Sequence, residues 1–203
     1  NVSHELRTPV SVIRANAETL LGGALQDEKS GPLFTEAILR NANRLTRLIT
    51  DLLDLAQLES GKYAVSQVQF DLGESLDLAL DALRPKAISK GMDLHIEVDP
   101  NHLVWGDPQS AAQVLSNYID NAIKYTQEGG QITVRSHFES EAVRIEVEDN
   151  GPGIEPRHHD RLFERFYRVD TGRSRDLGGT GLGLAIVKHL ARAMGGRVGI
   201  RSG

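Results

Sequence analysis

The chain has 203 residues, 39% of them hydrophobic and 25% charged, with a formal net charge of −5 and no cysteine. This balance is ordinary for a globular protein. It leaves no whole-chain electrostatic footprint for nucleic acid, and it excludes a disulfide framework or a thiolate metal site while suiting a reducing cytosol. No apolar run approaches the ~18 residues that span a bilayer, and no signal peptide is visible. A start at Asn1 inside a helical pattern and an end just after a strand-like stretch read as an excised fragment.

Residues 1–60 carry helical periodicity. Leu6, Val10, Ile13, Ala17 and Leu20 alternate steps of four and three, and so do Ile38, Ala42, Leu45, Ile49, Leu52 and Ala56. Such spacing is the seam of a coiled coil or bundle rather than a broad globular face. Gly22, Gly23, Gly31 and Pro32 bracket the interruption between the two runs. Two antiparallel helices bury only one seam, so a second copy completing a four-helix bundle is expected. The alternative packs the hairpin on its own downstream half.

The first helix opens with Ser3-His4-Glu5-Leu6-Arg7-Thr8-Pro9, which groups an imidazole, a carboxylate and a hydroxyl. His4 lies about 200° around the helix from Leu6, off the seam, and Thr8 shares its face. Pro9 either kinks a continuous helix at the His4-Glu5 turn or begins the helix itself. A lone histidine here reads as solvated; its neighbours make it a candidate nucleophile.

The run Glu59-Ser60-Gly61-Lys62 closes the second helix with a glycine C-cap signal. Beyond it the pattern becomes mixed. Strands are predicted over 68–72, 93–98, 103–105, 131–138, 143–148 and 197–201, and helices over 73–90, 108–125 and 182–194. The helix 108–125 has the strongest start, with Asp107 as N-cap and Pro108 at the first helical position. The expected result is a two-layer α/β sandwich.

Three clusters in this half carry pocket chemistry. Asn117, Asn121 and Lys124 fall within about 60° of one another on the helix 108–125; two amide oxygens and an ammonium suit Mg²⁺ and phosphate. Asp149-Asn150-Gly151-Pro152-Gly153 ends a strand, where glycines permit a tight turn and the carboxylate can accept a hydrogen bond from an adenine amine. Gly178-Gly179-Thr180-Gly181-Leu182-Gly183 opens the last helix and offers backbone N–H groups to phosphate. Its spacing matches neither the dinucleotide fingerprint nor a Walker-type loop. Between the glycine clusters, 157–177 reads as a lid anchored by Leu162, Phe163, Phe166 and Tyr167. Arg161, Arg165, Arg168, Arg173 and Arg175 within it could each reach phosphate.

Taken together, these residues resemble the cytoplasmic transmitter core of a bacterial sensor histidine kinase. Ser3–Pro9 matches that family's H box, Asn117–Thr126 its N box, Asp149–Gly153 and Gly178–Gly183 its two glycine boxes, and Leu162–Arg168 its F box. The five boxes stand in the family's order over nearly the whole chain, and the local pattern is similar to the phosphate-limitation sensors. The resemblance implies an α+β architecture. Residues 1–60 would be a dimerisation and phosphotransfer hairpin forming a dimeric four-helix bundle, and 61–67 a hinge. Residues 68–203 would be a two-layer ATP-binding domain of the Bergerat (GHKL) type with its last strand truncated.

It further implies that His4 is the phosphoacceptor, that Glu5 orients its ring, and that Thr8 positions water when phosphate is removed from the partner. Asn121 with Asn117 would hold Mg²⁺, and Lys124 would contact phosphate. Tyr125 would pack near the base, and Asp149 would read adenine. Gly151, Gly153, Gly179, Gly181 and Gly183 would shape pocket and lid, and Arg168 would meet the γ-phosphate. The implied substrate is ATP and the implied partners are a response-regulator receiver domain and a second copy, with no direct membrane contact by this fragment. The parent protein would sit in the bacterial inner membrane with this part in the cytoplasm.

Competing readings are a gyrase- or mismatch-repair-type ATPase, which uses a carboxylate where Asn117 stands; a non-enzymatic dimer module or pseudokinase; and the same family with phosphatase activity dominant. A zinc hydrolase built on His4-Glu5 lacks a second histidine at the Thr8 position, and His158-His159 read as surface residues.

Overall fold

The computed structural model of the chain describes residues 2–61, 63–99, 103–139, 142–170 and 179–202. Lys62 of the expected hinge, Arg173 and Arg175 of the lid, and Gly178 lie outside the described residues.

Helices α1 (Val2–Leu21) and α2 (Ser30–Glu59) pack as a hairpin through a 3₁₀ turn at Ala24–Gln26. Of the two readings of Pro9, the continuous helix is the one realised: α1 runs through it, and Pro9 is buried. Within one chain the seam closes only in part. Leu48 and Leu55 are buried, whereas the seam positions Val10 and Ile49 stay 49% and 46% exposed. Leu55 owes its burial to Leu182, at the start of the last helix, and to Ile186 and Leu190 on it, not to α1. One face of the C-terminal third of α2 therefore seats on the downstream half, and the hairpin keeps an open apolar surface that includes Leu39 and Leu53.

The second half begins with β1 (Val68–Asp71), followed by α3 (Leu72–Asp81), α4 (Arg84–Ser89), β2 (Asp93–Glu97), β3 (Leu103–Gly106) and α5 (Pro108–Tyr125). After these come β4 (Gln131–Glu139), β5 (Ala142–Asp149), α6 (Pro156–His159) and α7 (Gly183–Ala193). β1 and β3 form an antiparallel pair. β2 runs parallel to β4, and β4 turns back antiparallel into β5, which gives the order β2-β4-β5. Helices α3 and α5 cover this sheet. Leu76, Leu80, Leu115, Ile119, Ile132 and Val134 share one buried cluster, each side chain contributing about 1.5–3 kcal/mol by leaving water.

Two expectations are corrected. The single helix predicted over 73–90 is two helices, because Pro85 has no N–H to continue the ladder and its ring crowds the carbonyl four residues earlier, at Asp81. The strand predicted over 197–201 does not form among the described residues. That segment is tied by side chains instead: Ser202 Oγ accepts from the Ile154 N–H at 2.7 Å, and Arg201 pairs with Glu146 of β5 at 2.5 Å. Without a laddered neighbour, an extended segment is not a strand.

The helix that carries the N box is held at both ends. Asp107 Oδ1 accepts from the Ser110 N–H at 2.8 Å, the expected N-cap, and its Oδ2 accepts from the Ser66 N–H at 2.9 Å. At the far end, Lys90 Nζ donates to the carbonyls of Ile123, Lys124 and Thr126 at 2.5, 3.1 and 2.6 Å. Burial pushes the Asp107 carboxyl up, but the bonds from Ser110 and Ser66 outweigh it and leave the group below its ordinary value. With the folded value depressed, the unfolded chain binds more protons; the contribution is present above the unfolded value and is lost as pH falls through the folded one. Asp107→Ala should lower stability by about 1–2 kcal/mol. The test is the urea midpoint at neutral pH, which should drop at unchanged slope. The gap to the native chain should narrow in acid.

Candidate functional site

His4 stands in the first turns of α1 with its ring exposed, and among the described residues no hydrogen bond reaches that ring. Thr8 Oγ1 donates to the His4 carbonyl at 3.1 Å, a bond within the helix rather than to the imidazole. Glu5 is drawn the other way. Its Oε2 accepts from Arg168 Nη2 at 2.9 Å and from Arg44 Nη2 of α2 at 3.4 Å. The side chains involved are largely buried, at 4% exposure for Arg168 and 9% for Arg44.

On α5, Asn117 Nδ2 donates to the Gln113 carbonyl at 2.9 Å, which fixes the amide and turns Oδ1 toward the second glycine box. A methyl group at Gly183 would come within 2.5 Å of that Oδ1, so only glycine lets α7 begin so close to α5. Asn121 is half-buried one turn further on. Lys124 is ion-paired: its Nζ lies 2.5 Å from Asp120 Oδ2, and Asp120 also meets Lys86 at 3.0 Å. Burial raises the Asp120 carboxyl, but Lys124 and Lys86 overcome this and hold it below its ordinary value. Burial lowers the Lys124 ammonium, and Asp120 offsets only part of the drop. A phosphate drawing on Lys124 would share it with Asp120.

At the end of β5, Asp149 Oδ1 accepts from Thr126 Oγ1 at 3.2 Å and from the Gly151 N–H at 2.9 Å. Both of these bonds fall on one oxygen, which orients the carboxylate, and among the described residues no donor reaches Oδ2. Gly151 is required sterically: a Cβ there would lie 2.6 Å from Asp149 Oδ1. Gly153 turns the chain at φ +69°. Tyr125 ends α5 immediately before Thr126.

The lid is anchored at its ends. The Phe166 N–H donates to the Gly181 carbonyl at 2.7 Å, with Phe166 at φ 62° and Gly181 at φ +73°. A bulky residue in that region costs about 1–3 kcal/mol and persists only where its surroundings fix it. Here the F box and the second glycine box fix each other. Arg168 Nη2 also donates to the Thr180 carbonyl at 2.8 Å, and its buried Nε has no hydrogen-bond partner among the described residues. Gly179 is buried beside Thr180. The other described lid arginines are occupied elsewhere: Arg157 pairs with Glu155 at 2.9 Å, Arg161 lies 4.3 Å over the Tyr167 ring, and Arg165 pairs with Glu59 of α2.

The site residues named from sequence thus gather in three groups: Asn117 with Gly183; Asp149 with Gly151; and Arg168 with Gly181 and, across 163 positions, Glu5. Sequence reasoning missed the contacts between the halves. Thr180 Oγ1 donates to Asp51 Oδ2 at 2.6 Å, and Gln113 Nε2 donates to Asp54 Oδ2 at 2.9 Å. Burial pushes the Asp51 carboxyl up, and the Thr180 bond offsets this only in part. Within the expected hinge 61–67, Tyr63 Oη lies 3.1 Å from Ser110 Oγ, and Ser66 is held by Asp107. Gly61 makes a left-handed turn at φ +67° where α2 ends.

Comparison with known proteins matches two family models. Residues 1–61 match the His Kinase A (phospho-acceptor) domain. Residues 106–203 match the histidine kinase-, DNA gyrase B-, and HSP90-like ATPase domain. The phosphate regulon sensor protein PhoR of Pseudomonas aeruginosa is 39% identical over 94% of this chain and 43% of its own length. The solved mycobacterial sensor histidine kinase MprB is 30% identical, covers 64% of this chain and 81% of that one, and superposes with a TM-score of 0.56. ThkA, solved in complex with the response regulator protein TrrA, shares the fold at a TM-score of 0.74 and 24% identity, over 96% of this chain and 54% of that one. The chain spans less than half the length of the curated relatives it matches, PhoR included.

Proposed function

The chain belongs to the sensor histidine kinase family, and on that premise we propose that it is an ATP-dependent protein-histidine kinase acting on His4. A ring nitrogen of His4 forms the new P–N bond as the bond from the γ-phosphorus to its bridging oxygen breaks, and ADP leaves. The phosphoryl group then passes to an aspartate of a response regulator, the type of partner that ThkA holds in its complex. Phosphatase activity toward the same regulator fits the hydroxyl of Thr8 on the His4 face. In a longer protein, this segment would form the cytoplasmic part behind an inner-membrane anchor.

The ATP-binding part comprises 68–203 and the phosphotransfer hairpin 1–60, with 61–67 as the hinge between them. Asp149 Oδ2 receives the adenine amine, and Tyr125 lies against the base. Gly153, Gly179 and Gly181 let the backbone approach the phosphates. Asn121 and the oriented Oδ1 of Asn117 fit a hard cation that takes few protein oxygens, so these two hold Mg²⁺, which would offset charge on the phosphates. In phosphoryl transfer the protein mainly positions reactants and stabilises charge, and these residues are arranged to do that. The open apolar surface of the hairpin, with Val10, Leu39, Ile49 and Leu53 exposed, is covered by a second copy in a four-helix bundle.

The observation that carries this reading is the Arg168–Glu5 ion pair, which brings the edge of the glycine-box pocket against the neighbour of His4. A gyrase-type turnover reading is disfavoured by Asn117 standing where a water-activating carboxylate would be needed. The test is a labelling time course with γ-labelled ATP and Mg²⁺, with and without a receiver domain. Label should appear on the chain first and on the receiver second. Rapid release of inorganic phosphate with no labelled protein would overturn the proposal in favour of a simple ATPase.

A further inference from the structure

Arg168 is placed to serve two anions, and it is short of one. Its Nη2 is committed to Glu5 Oε2 and to the Thr180 carbonyl, while its buried Nε has no hydrogen-bond partner among the described residues. A buried unsatisfied N–H of a guanidinium is costly and calls for an acceptor. The second glycine box lies close against that atom: a methyl group at Gly181 would stand 3.3 Å from Arg168 Nε. The guanidinium therefore sits against the loop where, on the reading above, the phosphates of ATP lie.

Glu5 meanwhile sits next to the phosphoacceptor in sequence, yet its carboxylate is taken by Arg168 and Arg44 and makes no hydrogen bond to the His4 ring. The same pose is held by a row of donors on the ATP-binding half facing acids on the hairpin: Thr180 on Asp51, Gln113 on Asp54, and Arg165 on Glu59. Two anions brought to one guanidinium in a poorly solvated place repel each other more strongly than they would in water.

We propose that Arg168 is a positioning residue shared in competition between Glu5 and the terminal phosphate of the nucleotide. Without that phosphate it holds Glu5 away from His4, and with it Arg168 turns to the nucleotide and releases Glu5 to orient the imidazole. The inference rests on the ATP reading of the pocket and adds a coupling to it: arrival of the reacting phosphate frees the group that prepares the nucleophile. By linkage the effect is reciprocal, so removing Glu5 must strengthen binding of any nucleotide that carries the third phosphate.

Isothermal titration of the full chain with ADP and with a non-hydrolysable ATP analogue, each with Mg²⁺, tests this. Glu5→Ala, at an early position of α1 where alanine is a good helix former, should tighten the analogue about fivefold or more and leave ADP unchanged. In an Arg168→Ala background the same substitution should change neither. An unchanged or weakened affinity for the analogue in Glu5→Ala would overturn the competition while leaving the ATP site in place. If the native chain binds neither nucleotide, the ATP reading falls and the coupling falls with it. The comparison of two nucleotides on one variant decides the matter even where Arg168→Ala does not fold, since Arg168 is itself buried.

Discussion

His4→Gln should carry no acid-labile phosphate after incubation with γ-labelled ATP and Mg²⁺, against time-dependent labelling of the native chain. The expected loss is complete, because a glutamine amide has no nucleophilic ring nitrogen to form the P–N bond. Stability should hardly move: His4 is exposed and its ring makes no hydrogen bond among the described residues, and surface changes of that kind usually stay within about 0.5 kcal/mol. Nucleotide affinity should also persist, since the pocket groups lie on α5, the end of β5 and the start of α7. Thr8→Ala is the matching control. It removes a bond to a backbone carbonyl, not a ring contact, and should leave labelling in place. Equal labelling of His4→Gln and the native chain would refute the assignment of His4. Unaltered ATP turnover in the variant, with label on neither protein, would point to the simple ATPase.

The parts of this site legible in sequence are those whose chemistry is local. Asp107-Pro108 announces the start of a helix because a cap and a fixed φ act within one turn, and the structure places both as expected. Gly151 and Asp149 could be paired on paper because they are two residues apart. Lys124 shows the limit of face counting. Its position on α5 is readable from the spacing, but Asp120, four residues earlier on the same helix, captures the ammonium, and counting faces for a ligand does not weigh that i,i+4 pair. Pro85 carried its own warning of a helix break, which the apolar periodicity of 73–90 masked.

What no local pattern could give is the seat of one half on the other. Arg44 lies in no motif, and Asp51 looks like a solvated acid off the seam, yet the first grips Glu5 and the second accepts from Thr180. Such pairs depend on how two separately folded units meet, which is a long-range property without a period. The same cause divides the hairpin's seam. Its spacing demanded a partner along its whole length, and α2 meets the demand with two different surfaces, the cluster around Leu182 and Ile186 at one end and an open face along the rest.

Gly183→Ala should cut affinity for Mg²⁺-nucleotide by about 10- to 100-fold, the usual cost of disturbing a group that orients a metal ligand, while leaving the fold largely intact. The added methyl would stand 2.5 Å from Asn117 Oδ1, far inside contact distance. Backbone yields poorly there, because Leu182 and Ile186 on either side are wedged against Leu55. The softer response is rotation of the Asn117 amide, which breaks its 2.9 Å bond to the Gln113 carbonyl and turns Oδ1 away from the glycine box. Alanine itself favours a helix over glycine by about 1 kcal/mol, so the opposing contributions should leave the melting midpoint near its native value. Affinity measured with and without Mg²⁺ separates the cation from the base. The loss should be large with Mg²⁺ and small in its absence, because Asp149 and Tyr125 are untouched. An equal loss in both conditions would mean that the methyl group blocks the phosphates directly and that Asn117 holds no cation.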